Sequence, residues 1–118
     1  MKKIVLLSLA AILFTAFLPS AGFAHPPKNP EIGWNAATHT LTIKASHLVN
    51  DTAKHYVIGL VVMNGKGEQL VSKQYTKQTS DKIFCDNVIL AALNSGDTVK
   101  VRVICNIMGT AEKEFKLQ

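Results

Sequence analysis

The 118-residue sequence predicts an all-β fold, an immunoglobulin-like seven-stranded antiparallel β-sandwich. Three observations carry this expectation. Apolar and polar residues alternate along residues 25–118, and helical periodicity is absent there. The alternating runs are short. Turn-forming clusters separate them, as at Asn35-Ala36-Ala37-Thr38, Asn64-Gly65-Lys66-Gly67 and Asn94-Ser95-Gly96-Asp97.

The elements follow in order. Pro26-Pro27-Lys28-Asn29-Pro30 is an extended lead-in, and Ile32 and Trp34 then share one face of a first strand. In the second strand Leu41, Ile43, Ala45 and His47 fall on one face, and Thr42, Lys44 and Ser46 on the other. His47 is therefore in phase with the buried side, at the end of its strand. The third strand, Tyr56 to Met63, is apolar on both faces, which suits a central position. Asn64 to Gly67 is a hairpin signal. A fourth strand spans about Gln69 to Thr76 and a fifth about Lys82 to Leu90. The sixth alternates most cleanly, with Val99, Val101, Val103 and Cys105 on one face and Lys100, Arg102 and Ile104 on the other. Gly109 breaks the chain before a last strand, Glu112 to Leu117. Repeats, low-complexity stretches and linkers are absent from the sequence.

Residues 1–24 are expected to be a cleaved signal peptide. Met1-Lys2-Lys3 is a basic start, Ile4 to Leu18 is apolar, and Pro19 to Ala24 ends in small residues. Gly22 and Ala24 occupy the −3 and −1 positions, so cleavage leaves His25 as the new N-terminus. The apolar run is short for a membrane-spanning helix, and no cysteine near the cleavage point offers a lipid anchor. The expectation is a bacterial exported protein, periplasmic or secreted, with no membrane attachment after cleavage. Loss of Lys2 and Lys3 takes the formal charge from +5 to +3. The remaining lysines are scattered and Arg102 is the sole arginine, which speaks against a nucleic-acid surface. The remaining chain suffices for one small domain. A homo-oligomer remains open. Cys85 and Cys105 are the two cysteines; export favours a disulfide between them, whereas Cys105 has a competing use as a metal ligand.

That competing use comes from strand direction. Short connections make successive strands run alternately up and down. The second strand then ends where the third begins, which puts His47 and His55 at one end of the sandwich. The sixth strand also ends there, adding Cys105, and the first begins there, adding His25. His39 falls at the opposite end, as an ordinary surface histidine. Imidazole nitrogen and thiolate sulfur are ligands for iron, copper and zinc. Met108 adds a soft thioether, and a terminal His25 offers its α-amine together with its imidazole. The plainer readings are strand-end caps for His47 and His55, a frayed terminus for His25, a buried thiol for Cys105 and core filler for Met108. Asp51 is a turn former or a partner to a histidine ligand.

A family resemblance rests on three segments: His47 with Lys54-His55-Tyr56-Val57-Ile58, Gly96-Asp97-Thr98-Val99-Lys100-Val101, and Cys105-Asn106-Ile107-Met108-Gly109. Together they resemble the iron domain of the desulfoferrodoxin/superoxide reductase family. The resemblance implies an immunoglobulin-like sandwich whose iron is held by four histidines around an axial cysteine, with one position open for superoxide. It assigns His47 and His55 to the paired histidines, Cys105 to the axial cysteine and His25, by chain order, to the family's early histidine. Met108 stands where the family has its last histidine, and the acid–lysine pair before the first histidine is absent. Lys54 or Lys28 is then the candidate proton donor. The implied function is one-electron reduction of superoxide, or another small oxidant, with electrons from an unknown donor. Two other functions compete: a non-catalytic copper carrier using His25, His47, His55 and Met108, and a metal-free interaction module closed by a Cys85–Cys105 disulfide.

Overall fold

The computed structural model describes residues 25–118; the expected signal peptide lies outside the described residues. Seven strands follow one another: β1 Lys28–Asn35, β2 Thr40–Ser46, β3 Val57–Asn64, β4 Gln69–Gln74, β5 Ile83–Ile89, β6 Thr98–Cys105 and β7 Thr110–Lys116. They form two antiparallel sheets, β1-β2-β5 and β4-β3-β6-β7, with no helix among the described residues. The expected sandwich is present.

The alternation explains the packing. Leu41, Ile43 and Ala45 of β2 and Phe84 and Val88 of β5 face Val57, Leu60 and Val62 of β3 and Val99, Val101 and Val103 of β6. Most of these side chains are β-branched and fit a pleated, buried surface. The doubly apolar β3 lies inside the four-stranded sheet, between β4 and β6. The lead-in differs from the sequence reading, because Lys28–Pro30 already belongs to β1. Its ladder with β2 is interrupted between Lys28 and Glu31, where Pro30 has no N–H to donate.

One connection and one strand pairing position the rim. The chain leaves β2 in one sheet and enters β3 in the other, so residues 47–56 cross the gap between sheets. On the far side, β3 and β6 pair with Val57 opposite Cys105. The register therefore places Cys105 beside the start of β3, immediately after the crossing segment.

Candidate metal centre

His47 keeps its inward phase because the β2–β5 ladder continues past the strand's end. Its N–H donates to the Lys82 carbonyl at 2.9 Å, and that of Val49 to the Asp81 carbonyl at 2.8 Å. The ring is buried, with Nδ1 2.7 Å from Gln78 Oε1 and Nε2 3.2 Å from the His25 carbonyl oxygen.

His55 is set by a turn. The Asp51 carbonyl accepts the N–H groups of Lys54 and His55 at 3.1 and 2.9 Å, and the Asp51 carboxylate accepts that of Ala53 at 2.9 Å. Asp51 is thus a turn former here. The buried His55 ring meets the His47 ring edge to face at 4.7 Å, and its Nε2 lies 3.2 Å from Cys105 Sγ. Burial lowers the His55 pKa, and the charges of His47 and His25 lower it further, against a hydrogen bond that the ring donates to the His25 backbone. This favours the neutral imidazole, the form that binds metals.

Cys105 ends β6, and its N–H donates to the Gly109 carbonyl at 3.0 Å, closing a tight loop. The Ile107 N–H points at Sγ from 3.4 Å. Asn106 ties this loop to the His55 segment: Oδ1 accepts the Tyr56 N–H and Nδ2 donates to the Lys54 carbonyl, both at 2.9 Å. Gly109 has φ +84°, and a Cβ there would meet Pro26 Cβ at 2.5 Å. The absence of a side chain lets the start of the domain lie against the loop, next to His47.

One donor atom each from His47, His55 and Cys105 lies within 4.8 Å of the others. Ligands on opposite sides of one ion, with bonds of about 2.0–2.3 Å, are about 4–4.6 Å apart, so the three fit close to one coordination sphere. Two imidazoles and a sulfur suit iron, copper or zinc rather than magnesium or calcium.

The other expected ligands are placed differently. His25 contributes its carbonyl to the neighbourhood of His47, while its ring is outside the group of three. Met108 is 51% exposed in the Cys105–Gly109 loop. Lys54 is exposed in the turn before His55, and Lys28 is exposed on β1. Both cysteines are free, Cys85 exposed on β5 and Cys105 buried at the rim. His39 lies at the opposite end, its ring edge-on to Trp34 at 5.9 Å.

A cavity of about 330 Å³ opens beside the group, bordered by His25, Asp51, His55 and the apolar Leu48 and Ile107. Leu48 and Ile107 are 68% and 55% exposed, so the mouth of the site is apolar. Gln78 carried no signal in the sequence. It lies in the polar stretch Lys77-Gln78-Thr79-Ser80, which reads as solvated loop, yet it is 3% exposed.

The fold is similar to two solved structures. One is a superoxide reductase (1Fe-SOR) from Giardia intestinalis, with TM-score 0.57 and 16% identity over 79% of this chain and 100% of that one. The other is a superoxide reductase in the oxidized state, with TM-score 0.50 and 16% identity over 84% of this chain and 94% of that one. At such identity the likeness is one of fold. No family model matches the sequence, and no curated protein matches it.

Proposed function

We propose that this chain is an exported iron protein that reduces superoxide by one electron, with His47, His55 and Cys105 as protein ligands. The observation that carries the reading is the group of three buried donors within 4.8 Å at the rim. The shared fold with superoxide reductases supports it.

His47, His55 and Cys105 would hold ferrous iron, whose chemistry there would be to give one electron to superoxide, which with two protons would leave as hydrogen peroxide. The chain's own residues do the rest. His47 and His55 would offer ring nitrogens, and Cys105 its sulfur, at which the Ile107 N–H points. Leu48 and Ile107 form an apolar mouth that admits a small oxidant and limits water. Water or the exposed Lys54 supplies protons, and an external donor restores the electron.

The test is direct. Iron-loaded, reduced protein is mixed with superoxide while hydrogen peroxide and visible absorption are followed. The reading expects peroxide formation in step with oxidation of the iron and the appearance of a ferric–thiolate band. Superoxide decay at the uncatalysed rate, with the iron still ferrous, refutes the activity.

One observation favours a second reading, a copper carrier. The His25 carbonyl is already 3.2 Å from His47 Nε2, so cleavage after Ala24 creates an α-amine beside the same group. An extra residue ahead of His25 then weakens copper binding sharply. Unchanged affinity removes the amine from the site.

A further inference from the structure

We infer that Gln78 is a positioning residue for this centre: it holds the Nδ1–H of His47 and thereby leaves Nε2 as the ligand atom. The inference rests on the proposed metal-binding reading and specifies how the chain prepares one of its ligands.

The hydrogen bonds fix the orientation of the Gln78 amide. Its Nε2 donates to the His47 carbonyl at 2.9 Å and to the Ser80 carbonyl at 2.7 Å. A flipped amide would set Oε1 against two carbonyl oxygens and strand both. Oε1 in turn accepts the Val57 N–H at 3.2 Å, so it is an acceptor on two counts. The atom facing it at 2.7 Å, His47 Nδ1, must therefore carry a hydrogen. In the neutral ring, which has one N–H, Nε2 then bears the lone pair.

That lone pair faces the His25 carbonyl oxygen at 3.2 Å. Two acceptors face each other there, an arrangement that a cation bound by Nε2 to one side of the carbonyl relieves. Gln78 is itself anchored, because its main-chain N–H donates to the Thr52 carbonyl at 3.0 Å. One buried residue thus joins the end of β2, the crossing segment, the start of β3 and its own loop. An amide does this without adding negative charge beside His47, which a carboxylate in the same place would do.

The test reads the proton directly. Long-range nitrogen–proton NMR on metal-free protein, at a pH where both rim histidines are neutral, distinguishes N–H from lone-pair nitrogens of His47. The wild type is expected to show Nδ1–H. Gln78→Glu gives up the two bonds to the His47 and Ser80 carbonyls but keeps an acceptor facing Nδ1, and is expected to retain that tautomer. Gln78→Met keeps the shape without the acceptor; it is expected to shift His47 toward Nε2–H and to weaken Fe²⁺ binding about 10–100-fold. An Nε2–H wild type overturns the inference. So does a Gln78→Met protein with unchanged tautomer and Fe²⁺ affinity. If Gln78→Met does not fold, the wild-type tautomer and Gln78→Glu decide, and loss of Nδ1–H in Gln78→Glu counts against it. Wild-type protein that shows Nδ1–H but binds neither Fe²⁺ nor Cu²⁺ refutes the metal reading and leaves the hold on His47 standing.

Discussion

Two polar clusters sit on this sandwich, and they differ in whether their lone pairs are used. At the side, Lys73 of β4 and Tyr75 just after it meet Asp86 of β5 across the gap between sheets. Asp86 Oδ2 accepts from Lys73 Nζ at 2.9 Å and from the Tyr75 hydroxyl, while Oδ1 accepts the Asn87 N–H at 2.8 Å. Burial alone would raise the Asp86 pKa, but the hydrogen bonds from Tyr75 and Lys73 outweigh it and hold the carboxyl below its ordinary value. Burial, then the Asp86 hydrogen bond and charge, push the Tyr75 pKa up. Each acceptor there has a donor. At the rim, by contrast, His47 Nε2 faces a carbonyl oxygen, and the second histidine faces the Cys105 sulfur. A closed cluster fastens the two sheets; an open one has capacity left for a cation.

The largest expected effect breaks this comparison at its open side. Cys105→Ser removes one of three donors and is expected to lower Fe²⁺ affinity by more than about 100-fold, beyond the usual cost of disturbing a residue behind the ligands. Competition with a chromophoric chelator measures it. Asp86→Asn, in the same assay, should leave the affinity unchanged.

Next comes the closed side. Tyr75→Phe removes the hydroxyl that Asp86 accepts and is expected to cost about 1 kcal/mol, read from the urea midpoint. Iron binding should not change. Loss of iron in this variant would join the two clusters and undo the distinction drawn between them.

A pH series separates them further. The folded-state pKa of His55 lies below its ordinary 6.5. Below that value the unfolded chain gains a proton that the folded chain resists, so metal-free stability should start to fall as pH drops through 6.5. Asp86 acts lower. Its stabilisation is present above the ordinary 3.8 and is lost as pH falls through its still lower folded value. Denaturation across this range should show two steps, with His55→Gln removing the upper one and Asp86→Asn the lower. The smallest effect concerns Met108. Half-exposed as it is, Met108→Leu should leave iron affinity as it was; a clear loss would bring the thioether into the site.

Much of the fold could be read because burial repeats with the strand period. Val99, Val101 and Val103 alternate with Lys100, Arg102 and Ile104, and the structure buries the valines fully. The convergence of His47, His55 and Cys105 followed from strand direction, and the Val57–Cys105 register is its physical expression. What escaped the sequence has no period. Gln78 is buried by tertiary hydrogen bonds from a loop, and nothing in Lys77-Gln78-Thr79-Ser80 distinguishes it from solvated residues. Asp86 shares the inward phase of Phe84 and Val88, and only the approach of β4 supplies its partners. Strand direction brings His25 to this rim, but direction alone does not decide between its ring and its main chain, and it is the carbonyl that lies near His47.

The central claim is that His47, His55 and Cys105 hold a metal. Its most direct test is metal analysis together with the visible and spin-resonance spectra of protein beginning at His25, purified without chelators, beside Cys105→Ser. The account predicts iron bound in proportion to the wild-type chain, with a sulfur-to-iron absorption band in the oxidised protein that Cys105→Ser lacks. A wild-type protein that retains no metal, even after exposure to Fe²⁺ or Cu²⁺, contradicts it. So does a metal signal that Cys105→Ser leaves unchanged.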